Sequence, residues 1–225
     1  MPVIRVAPAP VEATVAPMTD VSPLSIVRLS GDDLEPALDD VARLRIEVFR
    51  EWPYCYQGSL DYERSYLRTY MQSAGAVCVL ALDGNQVVGA STAVPLSDET
   101  EEVLRPFEQA GIPPDEVFYF GESVLRRDYR GRGVGVRFFD EREAAARAHG
   151  GITWCAFCAV VRDETDPRRP PDYQRLDRFW QRRGFFPRPD MRTTFSWLEV
   201  GADRETEQAM SFWLKRLDGA GDGVG

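Results

Sequence analysis

Long apolar runs are missing from this 225-residue chain. No stretch approaches the roughly 18 uninterrupted apolar residues that a membrane-spanning helix requires. The start, Met1 to Pro23, has no basic segment followed by an apolar core of the kind a secretory signal shows, so a cytoplasmic location and no membrane partner are expected. Cysteine is scarce: four residues, at 55, 78, 155 and 158, are too few and too scattered for a disulfide framework. Cys155 and Cys158 have C-x-x-C spacing, but the run from Ile152 reads as a strand, where an odd offset turns the two thiols to opposite faces. No metal is expected there. The single histidine, His149, falls at a predicted helix end, where capping carbonyls suits it better than catalysis. Basic residues are outnumbered, 27 Lys and Arg against 36 Asp and Glu, for a net charge of -9. That balance argues against nucleic acid as a partner. Internal repeats are lacking too.

What is present is a local concentration of glycine and arginine. Arg126, Arg127, Arg130, Arg132 and Arg137 surround glycines at 131, 133 and 135. Each glycine lacks the Cβ that would stop a backbone from closing round an anion, and each reaches positive φ cheaply. The stretch opens into Val134 to His149, a helix-forming run, so free N–H groups and the positive end of the helix dipole point at one place. A phosphate fits that geometry. The Gly-Lys-Ser/Thr of a P-loop does not occur, and Gly131-Arg132-Gly133-Val134-Gly135-Val136 fails the dinucleotide spacing G-x-G-x-x-G.

Arg130, Gly133 and Gly135 do match Gln/Arg-x-x-Gly-x-Gly/Ala, and on this signature the sequence resembles the GNAT-type N-acetyltransferase superfamily, which binds the pyrophosphate of acetyl-CoA. Glu122 to Leu125 and Val136 to Phe139 fit that family's fourth strand and third helix, and Phe179-Trp-Gln-Arg-Arg-Gly-Phe185 looks like its Phe-Tyr-x-x-x-Gly-Phe segment. The resemblance implies an α/β fold with a central mixed sheet flanked by helices. It implies acetyl-CoA as cosubstrate, and acetyl transfer to a primary amine of a small molecule or protein. The pyrophosphate would rest on Arg130, Gly131, Arg132, Gly133, Val134 and Gly135. In the family the strand before this turn splays from its neighbour so that the pantetheine arm pairs with it, which assigns Val124, Leu125 and Arg126 to the cofactor. A homodimer is left open.

Glu122 is the candidate general base, because a carboxylate in the apolar run Phe118 to Leu125 needs a reason to be there. A structural carboxylate paired to an arginine is an equal reading. The family often protonates the departing thiolate with a Tyr after the Phe of its fourth helix, but Trp180 stands at that position, and Tyr173, Tyr129 or solvent are the substitutes. The missing tyrosine gives some weight to a non-catalytic acyl-CoA sensor. Tyr54, Tyr56, Glu47, Arg50 and an acidic helix near Glu101 are candidates for the acceptor side, that helix being either a lid or a solvated surface element.

Along the chain, the Pro-rich residues 1–23 read as a disordered head, 24–217 as one domain and 218–225 as a flexible tail. Strands are expected at Leu24 to Leu29, Ala76 to Leu82, Gln86 to Pro95, Val117 to Leu125, Ile152 to Val160 and Arg192 to Val200; Met210 to Leu217 reads as a strand or a terminal helix. Helices are expected from Leu38 to before Pro53, from Asp61 through Tyr70, at Asp98 to Ala110, at Val134 to His149 and at Asp172 to Arg183.

Overall fold

The computed structural model describes residues 24–217; the expected head and tail lie outside the described residues. The chain forms a mixed eight-stranded sheet flanked by helices, as the sequence implies. Its first part is antiparallel. Strand β1 (Ser25–Leu29) pairs with β2 (Val77–Asp83), and β2 with β3 (Gln86–Pro95) across the hairpin turn at Gly84. Helices α1 (Leu38–Phe49) and α2 (Leu60–Gln72) separate β1 from β2. Ser59 caps α2, its hydroxyl accepting from the Tyr62 N–H.

Helix α3 (Glu101–Gln109) leads to β4 (Val117–Tyr119) and β5 (Ser123–Leu125), followed by α4 (Val134–His149) and β6 (Trp154–Val160). β6 runs parallel to β4, a pairing that needs the α4 crossover. After α5 (Asp177–Arg182), β7 (Phe186–Leu198) and β8 (Glu205–Arg216) complete the order β1-β2-β3-β4-β6-β8-β7, with β5 on β3.

Two apolar layers cover the sheet. On one face α1, α2 and α3 bury Leu44, Leu67 and Phe107 against Leu80, Val124 and Phe212. On the other, α4 buries Phe138, Phe139 and Ala146 against Val88, Phe118 and Phe157. Cys155 lies in the second layer and Cys158 in the first, so their odd offset separates them as expected.

Three expectations are corrected. The last helix begins at Asp177 rather than Asp172, because Pro170 and Pro171 precede a turn in which the Tyr173 N–H donates to the Pro170 carbonyl. β7 begins at Phe186 rather than Arg192: Pro187 and Pro189 lie in an edge strand with a register shift between Arg188 and Arg192, where proline is tolerated. The segment from Met210 is a strand paired with β7, the first of its two readings, and only its start moves, to Glu205.

Candidate active site

Val117 to Leu125 reads as one strand in sequence, yet the structure divides it into β4 and β5. The Phe120 N–H still donates to the Ala156 carbonyl of β6 at 2.7 Å. One residue later the partner changes: the Gly121 N–H donates to Thr92 O at 3.1 Å and the Thr92 N–H donates to Glu122 O at 3.2 Å. Two residues thus face one on β3, which is a β-bulge. Beyond it β5 stays with β3, whereas β6 continues to Val160 beside β8, and the sheet opens between them. Gly121 is required by space. A Cβ there would stand 2.3 Å from the Tyr70 hydroxyl and 2.7 Å from Thr92 Oγ1. Gly121→Ala is therefore expected to lower stability by about 1–3 kcal/mol, read by denaturant unfolding.

The register decides which main-chain groups look into the opening. Glu122 O and Arg126 N bond to β3, at Thr92 and Val88, so alternate residues 122, 124 and 126 spend their polar groups there. Leu125 and Ser123 turn theirs to the open side, and Leu125 O accepts from Arg130 Nε at 3.1 Å. Of the three residues expected to pair with a cofactor, Leu125 alone presents its main chain to the opening; Val124 and Arg126 give theirs to β3.

The glycine turn follows. Gly131 and Gly133 have φ of 76° and 80°, and Gly133 is the left-handed N-cap of α4. Gly135 packs under Phe179 of α5, whose ring would lie 3.4 Å from a Cβ at that position. Among the described residues none of the amides of Gly131, Arg132, Gly133, Val134 and Gly135 has a protein acceptor. They sit at the mouth of a helix, where an anion is favoured. Arg126 and Arg130 brace this turn against α1 and the loop after it through Glu47 and Glu51, each at 3.0 Å. Arg132 stacks over the Tyr129 ring, whose hydroxyl donates to Asp83 at 2.8 Å.

Glu122 points to α1 and α2. Its carboxylate forms an ion pair with Arg45, which also pairs with Glu63; all three side chains are nearly or wholly buried. Burial works against the Arg45 charge, but Glu122 and Glu63 overcome it and hold the guanidinium well above its ordinary value. Arg45 lies over the Tyr66 ring, 4.3 Å from its centroid. Tyr66 Oη lies 3.4 Å from Glu122 Oε2 and 2.9 Å from Tyr70 Oη, which lies 3.0 Å from Glu99 Oε1; with both carboxylates ionised the two hydroxyl protons fill two of these three contacts. From behind, Arg142 of α4 reaches Glu122 O at 3.3 Å, and burial pulls its guanidinium down to about 9.

Other expected residues lie elsewhere. Tyr173 is not on a helical face but in the turn before α5, edge-on to Trp52 at 6.2 Å. Trp180 packs on Phe157 and Trp213. Tyr54 packs tilted against Phe49 and Trp197, and its carbonyl accepts from Arg162, which also bonds Pro53 O, Gln208 and Glu199. Tyr56 bridges to Glu199, and Arg50 reaches Gln57 at 3.4 Å. The helix bearing Glu101 is fixed, not a free lid: Phe107 packs on Phe212 and Thr193 bonds Glu102 O. His149 Nδ1 lies 3.2 Å from Gly150 O. Arg45, Glu63 and Arg142 escape the sequence reading; helical spacing of Arg45 with Val41, Leu44 and Val48 is their one available signal.

Among the described residues no cluster of His, Cys, Asp and Glu could hold a metal, and no helix is long and apolar enough to cross a membrane. The fold has solved counterparts. An acetyltransferase from Thermus thermophilus superposes with a TM-score of 0.51 at 19% identity, covering 88% of this chain and 99% of its own. Arabidopsis thaliana NAA60, in complex with a bisubstrate analogue, gives 0.55 at 13%, covering 86% and 100%. PaiA N-acetyltransferase from Thermoplasma acidophilum, in complex with coenzyme A, gives 0.51 at 13%, covering 87% and 99%. No curated protein sequence matches the chain. The model of the acetyltransferase (GNAT) family matches residues 41–185. That span runs from α1 through the opened sheet and the glycine turn to the end of α5, and with it the chain belongs to the GNAT acetyltransferase family.

Proposed function

We propose that this protein is an N-acetyltransferase that moves an acetyl group from acetyl-CoA to a primary amine of a small molecule or peptide, by direct attack with Glu122 as general base. One observation carries the reading: a run of amides without protein acceptors lies beside a strand edge that has lost its partner. The pyrophosphate would rest on the amides of residues 131–135, each charge-assisted bond contributing about 1.5–3 kcal/mol. The pantetheine would lie along the Ser123 and Leu125 main chain. The amine nitrogen then bonds the acetyl carbon as the C–S bond breaks, and Glu122 takes the nitrogen's proton. The Trp180 indole N–H is too weak an acid to protonate the departing thiolate, and Tyr173 is held against Trp52; water serves in this reading. A small-molecule or peptide amine is the partner. CoA-bound relatives such as PaiA support the choice of cosubstrate.

A non-catalytic acyl-CoA sensor is the second reading, favoured by Trp180 and by the arginine already seated on Glu122. Two measurements on one sample separate the readings. Coenzyme A at a hundred times its Kd is expected to stabilise the fold by about 2.7 kcal/mol, raising Tm by roughly 5–11 °C. Thiol release from acetyl-CoA with a panel of amines is expected alongside. A thermal shift with no release from any amine leaves the sensor; no shift at all sinks both.

A further inference from the structure

In the acetyl-transfer reading each turnover leaves the attacking amine's proton on Glu122, and a base enclosed by α1 and α2 must lose it before acting again. Glu122 is 9% exposed and Arg45 covers one of its oxygens. Its other oxygen faces the Tyr66 hydroxyl, which meets Tyr70, which meets Glu99 in the connection between β3 and α3. These contacts form an unbroken line of hydroxyls from the buried carboxylate to a half-buried one. We propose that Tyr66, Tyr70 and Glu99 are a proton relay that empties Glu122 after each turnover. This rests on the acetyl-transfer reading and adds to it a route and three residues.

The transfer balances. Protonated Glu122 gives its proton to Tyr66 Oη, Tyr66 gives its own to Tyr70 Oη, and Tyr70 gives its own to Glu99. Both tyrosines end neutral with their hydrogen bonds reversed, Glu122 is a carboxylate again, and Glu99 releases the proton to water. Burial holds both tyrosine hydroxyls well above their ordinary range, so they pass protons without becoming phenolates. Burial also raises the Glu99 carboxyl above the usual carboxylate range, against the opposing pull of the Tyr70 hydrogen bond, which suits a temporary acceptor. Glu122 is faced by Arg45 of α1, Glu63 of α2, Arg142 of α4 and, more remotely, Cys78 of β2 and Tyr54. Glu99 is faced by Asp98, Tyr119 and Cys158 besides Tyr70. None of these offers a second line of hydroxyls from Glu122 to Glu99.

The test uses the full chain, the best amine of the panel, and Tyr70→Phe, Glu99→Gln and the double variant. Near neutral pH each single variant is expected to lose about tenfold to a hundredfold in kcat, with KM for acetyl-CoA and the CoA thermal shift unchanged. The loss shrinks as pH rises or buffer base is added, because a base from solution then takes the proton from Glu122 in place of the line. The double variant loses no more than the worse single one, because both cut the same line. Wild-type kcat in both variants, or losses that multiply and are constant with pH, would overturn the relay. If Tyr70→Phe does not fold, Glu99→Gln carries the test alone through its kcat and pH profile. Failure of the acetyl-transfer reading shows differently, as wild-type protein that releases no thiol with any amine, and the relay falls with it.

Discussion

Thiol release by the Glu122→Gln protein is expected to fall by about a hundredfold to ten-thousandfold, or roughly 2.7–5.5 kcal/mol of transition-state stabilisation, while coenzyme A still raises its melting temperature. Glutamine keeps the shape of the side chain and an acceptor oxygen toward Arg45, but it cannot take a proton from the attacking amine. Arg45 also keeps its pair with Glu63, so no buried cation is left without an anion. The thermal shift with coenzyme A checks that the cofactor side is intact, since the Glu122 carbonyl is held by Thr92 of β3. Activity within about threefold of wild type would identify Glu122 as only the structural partner of Arg45. High pH does not restore the loss, in contrast to the relay variants, because the base itself is gone.

The second large effect is structural. Arg45→Met removes the one cation shared by Glu63 and Glu122 and leaves two buried carboxylates facing each other across a thioether. Breaking a buried pair from one side costs about 3–5 kcal/mol, and at about 2–4 °C per kcal/mol for a chain of this size the melting temperature should fall by roughly 6–20 °C. The Arg45 face on the Tyr66 ring is lost as well. Thermal or denaturant unfolding of the two proteins measures the difference. A second change, Glu63→Gln in the Arg45→Met background, is expected to return part of the loss, since one of the two stranded charges then disappears. A change under about 2 °C for Arg45→Met would mean that solvent reaches the cluster and replaces the arginine at little cost.

Much of this arrangement is legible in the residues, and the rest is hidden for identifiable reasons. The β2–β3 hairpin and the bounds of α4 follow from alternation, from Gly84 and from the glycines at 133 and 150, because local chemistry alone sets them. The glycine turn is legible because positive φ at 131 and 133 is a demand only glycine meets easily. The buried ionic cluster is not legible. Glu63 looks like an ordinary charged position on an amphipathic helix and Arg45 shows only its spacing with Val41, Leu44 and Val48; the meeting of α1 with α2 over β5 takes both out of water. Tyr66 and Tyr70 read as packing residues; their rings do pack, 5.3 Å apart, and the hydroxyl line needs three elements to be seen. Arg142 looks like one more polar residue of α4, yet it is 2% exposed and spends its donors on carbonyls at the bulge and on its own helix. The late start of α5 escapes because Tyr173 and Leu176 sit at helical spacing from Phe179 and Trp180, while the prolines before them hold a turn and leave Leu176 exposed.

The extra residue at Gly121 has a consequence for odd and even positions. Before it, Val117 and Tyr119 look toward α2 and α3 while Phe118 and Phe120 look toward α4. After it the parity is inverted: Val124 looks toward α1 and α2, and Leu125 toward α4. One strand thereby carries two phenylalanines to the α4 layer and still delivers the very next even-numbered side chain, Glu122, to the opposite layer and its arginine. A strand that kept Gly121 but ran through it in strict alternation, without the bulge, would send the carboxylate of Glu122 to the α4 side of the sheet, away from its arginine.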